Sequence, residues 1–125
     1  MAAPNIVGVN TITGITTMLS LANTSATVLV SNAADSGYVY KINTILVAND
    51  DGSNGADITV ALHDQDDGGG TAYKLGHTLN VAADSTLVVV DKASAIYLEE
   101  DRSIVVTASA GGDLDVTCSY EKIED

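Results

Sequence analysis

The sequence predicts an all-β fold: an antiparallel β-sandwich, jelly-roll-like, of eight to nine short strands. Three observations carry this. Apolar residues recur at every second position through most of the chain, the period of a strand with one dry face. Clusters of Gly, Asn, Asp and Ser, such as NDDGSNG at 49–55 and DQDDGGG at 64–70, interrupt the alternation at short intervals, a spacing that belongs to sandwiches and barrels. No window shows a sustained apolar repeat at helical spacing. With no Phe, no Trp and five Tyr, the core must come from Val, Ile, Leu and Ala, and the β-branched types among them favour strands. A chain of 125 residues is one domain with enough length for a real core. Residues 1–14 read as an extended N-terminal arm and residues 15–125 as a single sandwich domain.

In chain order, the arm is punctuated by Pro4, Gly8 and Gly14, and its apolar residues Ile6, Val7, Val9 and Ile12 are too greasy to be left in water. It either pairs at a sheet edge of its own subunit or reaches a neighbour, since edge addition is a common mode of strand capture. Residues 15–21 form the first strand, with Ile15, Thr17, Leu19 and Leu21 on one face, and 25–31 the second. After a loop at 32–37, the longest strand signal covers 38–48. Its apolar parity switches near Asn43 and Thr44, which predicts a bulge or a strand that crosses between sheets. Ile58, Val60 and Leu62 mark the inward face of the next strand. The glycine-rich loop at 64–70 is expected to be the most flexible stretch. Tyr73, Leu75, His77, Leu79 and Val81 then alternate.

Leu87, Val88, Val89 and Val90 follow without interruption, as in a strand covered on both faces, and a partner subunit could supply one cover. A short strand at 96–98 and the charged link Glu99, Glu100, Asp101, Arg102 lead to the clearest pattern of all. There Ile104, Val106 and Ala108, then Leu114, Val116, Cys118 and Tyr120, read as a hairpin around Gly111 and Gly112. The polar end, 121–125, is expected to fray, with Ile123 as its apolar anchor.

The charge excludes several functions. Seventeen acids against five bases give a net charge of −12, which repels phosphate backbones and anionic membranes. No apolar run approaches the length of a membrane helix, and the first residues do not resemble a secretion signal. Cys118 is the only cysteine, so no internal disulfide forms. On the apolar face of its strand it is a buried thiol, and synthesis in a reducing cytoplasm is expected.

Candidate chemistry is thin. Asp64, Asp66 and Asp67 precede three glycines, and calcium takes oxygen ligands from flexible loops of this kind. The twelve-residue frame of an EF-hand is absent, however, and a solvated loop explains the run. His63 and His77 could approach each other across that loop, but zinc wants three or four ligands. There is no nucleophile motif, no phosphate-binding loop and no paired acids in contrasted environments. No enzymatic activity and no cofactor are expected.

Taken over most of its length, the chain resembles small virion structural proteins of tailed phages, in particular those of marine cyanobacteria. The residues that carry the likeness are APNIVGVNTITG, VYKINTILVAND, ADITVALHD, ADSTLVVVDKASAIYLEED and DLDVTCSYE. The resemblance implies a non-enzymatic β-sandwich subunit, assembled in the host cytoplasm onto a virion. It implies a capsid decoration, or cement, protein set as a homo-oligomer, a trimer by analogy, over joints of the major capsid protein. Neck, tail or baseplate placement is the alternative, and a free carbohydrate- or calcium-binding sandwich module is a more distant one. The residues expected at subunit contacts are Ile6, Val7, Val9 and Ile12 of the arm, and Leu87, Val88 and Val90.

Overall fold

The computed structural model describes residues 4–124; residues 1–3 of the expected arm and Asp125 lie outside the described residues. Among the described residues nine strands follow one another: β1 (Thr11–Ser20), β2 (Thr27–Asn32), β3 (Tyr38–Asn49), β4 (Ala56–His63), β5 (Ala72–Val81), β6 (Thr86–Val90), β7 (Ile96–Leu98), β8 (Arg102–Ala108) and β9 (Leu114–Glu124). One turn of 3-10 helix, Lys92–Ser94, separates β6 from β7, with Asp91 capping it.

Two antiparallel sheets form. The first has the order β1-β9-β3-β6, with β7 also pairing β3; the second has the order β2-β8-β4-β5. The pairings nest: β1 with β9, β2 with β8, β3 with β6 and β4 with β5. That is a long hairpin rolled over on itself, the double Greek key of a jelly roll. The expected fold class is therefore the observed one.

The dry faces of the two sheets meet in one core. Ile42, Ile45 and Val47 of β3 and Val116 and Cys118 of β9 pack with Ile58 and Val60 of β4 and Ile104 and Val106 of β8. Burial of these side chains at roughly 1.5–3 kcal/mol each is what holds the two layers together. The parity switch in β3 is a register shift between Ile42 and Thr44, so Ile42 and Ile45 both turn inward, as the sequence predicts.

Three buried polar side chains fasten loops to this body. Asn32 Nδ2 donates to the carbonyls of Tyr38 and Leu98, each at 3.0 Å. Asn49 Nδ2 donates to Asn54 O at 3.0 Å and Val81 O at 2.9 Å, while its Oδ1 accepts from Asp51 N. Ser103 ties down the loop between β4 and β5. Each is satisfied, as burial of a polar group requires.

Four expectations about the strands change. Residues 11–14 belong to β1, which pairs with β9 of its own chain, so the strand starts earlier than Ile15. The segment around Gly111 and Gly112 is no hairpin: β8 lies in one sheet and β9 in the other. The link crosses between the layers against the β1–β2 connection, where a Cβ on Gly111 would sit 2.6 Å from Ala22 O. The run at 87–90 is not covered on both sides, because the register shifts where β6 meets Ile45 and Leu46. Val90 turns into the core, Val88 turns out at 53% exposure, and Leu87 packs half-buried on the core. Finally, 121–124 continue β9, and Ile123 is buried.

Candidate interaction surfaces

The outward faces of the two sheets differ in kind. In a regular antiparallel ladder, directly paired residues point to the same side. Met18, Thr117, Leu46 and Val88 thus form one row across four strands of the first sheet. Thr16, Ser119 and Thr44 form the next, and Ser20, Asp115, Ala48 and Thr86 another. Met18 is 76% exposed and Val88 53%. Across these three rows Asp115 is the one charged residue. Beyond the bulge, Lys41 stands opposite Glu121. For a chain of net charge −12, this is a nearly neutral face.

Its far end is covered by the chain itself. Ile12, Ile123 and Val39 are paired in a row, and Val39 and Ile123 are buried. Pro4, also buried, and Ile6 line a groove of 180 Å³ together with Val39, Tyr97 and Glu99. Asn5 O accepts from Gly8 N and Asn5 Oδ1 from Val7 N, closing a turn that lifts Val7 to 92% exposure. Residues 4–10 therefore fold back over their own sheet and are not an extended arm. Of the residues expected at contacts, Val7, Ile6, Ile12 and Val88 are exposed, Val9 is half-buried, and Leu87 and Val90 are committed to the chain's own core.

The second sheet carries an acidic cap. The loop at 64–70 is stitched down rather than loose. Gly68 N donates to Ser103 Oγ, Asp66 N to Asp101 Oδ1, and Arg102 Nη1 to Asp64 O; Ser31 Oγ donates to Asp66 O. Gly68, at φ +81, lies so close to Val28 and Val105 that a Cβ would meet their methyls at 3.1 and 3.4 Å. The loop thus covers Val105, a residue that alternation alone assigns to solvent.

The expected metal candidates do not converge. Asp64 Oδ1 accepts from Thr71 N at 2.7 Å, Asp66 Oδ2 from Ala34 N at 3.2 Å, and Asp67 Oδ1 from Gly69 N at 3.0 Å. Each carboxylate caps a different backbone group, and no group of three or more His, Cys, Asp or Glu suited to a metal occurs among the described residues. His63 pairs with Ala72, while Gly76, beside His77, pairs with Val60, so the histidines are not drawn together. His63 Nδ1 instead lies 3.2 Å from Gly69 O.

Two electrostatic features lie at the edges of these surfaces. Asp50 and Asp115 contact each other at the Ser20 end of the first sheet. Hydrogen bonding to Asp115, with its charge, pushes Asp50 up; the same contact, helped by Ser20, holds Asp115 down. Cys118 is enclosed in the core, and desolvation pushes its thiol up to about 12.

No family model and no curated protein sequence matches the chain. Among solved structures, it is similar to a chain from the Bacillus endospore appendages, described as a family of disulfide-linked pili. The identity is 16% and the TM-score 0.55, over 94% of this chain and 91% of that one. It is also similar to a chain of infectious bursal disease virus, Gx strain, at 12% identity and a TM-score of 0.50. That match covers 93% of this chain but 33% of the viral one. At these identities the likeness is one of fold. The disulfide linkage named for the pili has no counterpart in a chain whose one cysteine is buried.

Proposed function

We propose that this chain is a structural subunit of a phage virion, a capsid decoration protein that seats on the outer shell and stabilises it. The observation that carries the reading is the contrast between the two faces. The first sheet offers a nearly neutral surface of Thr, Ser, Ala, Leu, Val and Met, while acids cap the second sheet and fill the loops. A neutral face desolvates cheaply against a partner, whereas charged loops favour water. The reading thus turns the Met18–Val88 row toward the shell and the loop at 64–70 toward solvent. An acidic exterior also keeps decorated particles apart in solution. The sandwich fold is compatible with this, since jelly rolls recur in viral shells, although the same fold serves lectins and other proteins.

The test is co-sedimentation of the purified chain with empty shells of the major capsid protein. Thr44→Asp and Val88→Asp place a charge on the neutral face without entering the core, and each should cut binding at least tenfold. Asp67→Asn, on the opposite face, should leave it unchanged. Full binding by both face variants, or no binding by the unaltered chain, contradicts the reading.

A further inference from the structure

Each sheet has two edges, and three of the four are blunted. β2 has six residues and a register shift between Val28 and Val30. β5 carries Lys74, two register shifts against β4 and a left-handed Thr78 at φ 47. The β6 and β7 edge is divided into strands of five and three residues by the 3-10 turn. These are the usual devices that stop a sheet from pairing with a stranger: short strands, bulges and charge. β1 has none of them. Its ten residues, TITGITTMLS, hold no charge and no proline, and it runs against β9 through ten consecutive partners without a shift.

The unpaired groups on this edge can be assigned. Leu21 N donates to Leu114 O at 3.0 Å, and Leu21 O accepts from Gly112 N at 2.8 Å. Leu21 therefore directs both backbone groups toward β9. Alternation along the unbroken strand gives Leu19, Thr17, Ile15, Thr13 and Thr11 the same direction. Ile12, Gly14, Thr16, Met18 and Ser20 consequently turn their N–H and C=O groups to the open edge, and their side chains to the neutral outer face.

We propose that β1 is the site at which two copies of this chain join, antiparallel, in the register centred on Thr16. In that register Thr16 meets its own copy on the twofold axis, Met18 lies opposite Gly14, and Ser20 lies opposite Ile12. All five edge residues then pair, each pair exchanging two hydrogen bonds; any other register leaves some unpaired. The side chains fit as well. Gly14 has open space where a Cβ would be, and the 76% exposed Met18 of the other copy fills it. Charge on the strand itself does not oppose the same occupant: β1 carries no acid, and the acids paired to its ends, Asp115 at Ser20 and Glu121 and Glu124 at Gly14 and Thr11, stand behind the seam on β9. The contact is isologous and closes at two copies, a different count from the trimer that the resemblance implies. It rests on the edge alone and is independent of whether the chain binds a shell.

Sedimentation of the full chain reads the association, and far-UV circular dichroism reads the fold. The unaltered chain should sediment at twice its monomer mass. Thr16→Lys, which sets two ammonium groups on the axis, should halve that mass and leave the spectrum unchanged. Thr16→Cys should form a covalent pair under mild oxidation, because hydrogen-bonded antiparallel partners stand about 5.5 Å apart at Cα, within disulfide range. Thr44→Cys, on the same face but off the edge, should not. If Thr16→Lys does not fold, the cysteine pair decides. A monomer or trimer mass for the unaltered chain, an intact dimer in a folded Thr16→Lys, or no cross-link through Thr16→Cys overturns the proposal.

Discussion

Gly68 and Ser103 are joined through one hydroxyl: Gly68 N donates to Ser103 Oγ at 3.0 Å, and that hydroxyl in turn donates to Gln65 O at 2.7 Å. Ser103 is fully buried. A loop with three consecutive glycines is therefore fixed to the sheet beneath it by a side chain from β8. Removing the hydroxyl leaves a backbone donor and a backbone acceptor without their partner. Ser103→Ala should cost about 1–3 kcal/mol in urea unfolding and speed amide exchange selectively at 65–69. Unchanged exchange there would show that the loop is held by other means.

The register shift between β6 and β3 makes two valines of the same parity unequal. Val90 is 5% exposed and packs in the core, whereas Val88 is 53% exposed. Val90→Ala should destabilise by roughly 2 kcal/mol, from lost burial and the cavity left behind. Val88→Ala should stay within about 0.5 kcal/mol. Equal losses at the two positions would contradict the register.

Cys118 should resist thiol reagents in the native protein at neutral pH and react only on unfolding, because burial holds it neutral up to about 12. The linkage has a definite sign. The folded-state value lies above the ordinary 9.0, so the unfolded chain loses its thiol proton first as pH rises. Stability conferred by the neutral thiol is whole below about 9 and declines between about 9 and about 12. The slope is at most about 1.4 kcal/mol per pH unit. Cys118→Ala should flatten that part of the alkaline stability curve; an identical slope in the variant would assign the loss elsewhere.

The segment that lies against Val39 and Tyr97 should stabilise its own sheet. Deleting residues 2–10 keeps β1 intact but removes Pro4 and Ile6 from the groove beside Val39 and Tyr97. The sheets should persist by circular dichroism, with a loss of about 1–2 kcal/mol from re-exposed apolar area. A deletion with unaltered melting would mean that the segment does not seal its own sheet.

Much of the fold was legible in period-2 alternation. Ile104, Val106, Leu114, Val116 and Cys118 fall in the core as that pattern predicts, and the parity switch at Asn43 marks a true bulge. What alternation does not encode is which strand lies beside which. Two strands with one apolar face each can pair edge to edge or stack face to face, so β8 and β9 resemble a hairpin although they stand in different sheets. Nor does it reveal covering by loops: Val105 has solvent parity but lies under Gly68. The four apolar residues 87–90 suggested two dry faces because a one-residue bulge and a doubly covered strand leave the same mark. Of the candidate surface, hydropathy alone marks Ile12 and Val88, which are exposed; it does not mark the open edge of β1 at Gly14, Thr16 and Met18, because an edge follows from sheet order and not from residue type.

The most direct test of a shell-binding role is the number of copies in purified virions, measured by quantitative mass spectrometry against the major capsid protein. A decoration protein should be present in hundreds of copies per particle, in fixed proportion to the shell subunits. Absence from the particle, or only the few copies that a single ring on the tail axis would hold, would contradict it.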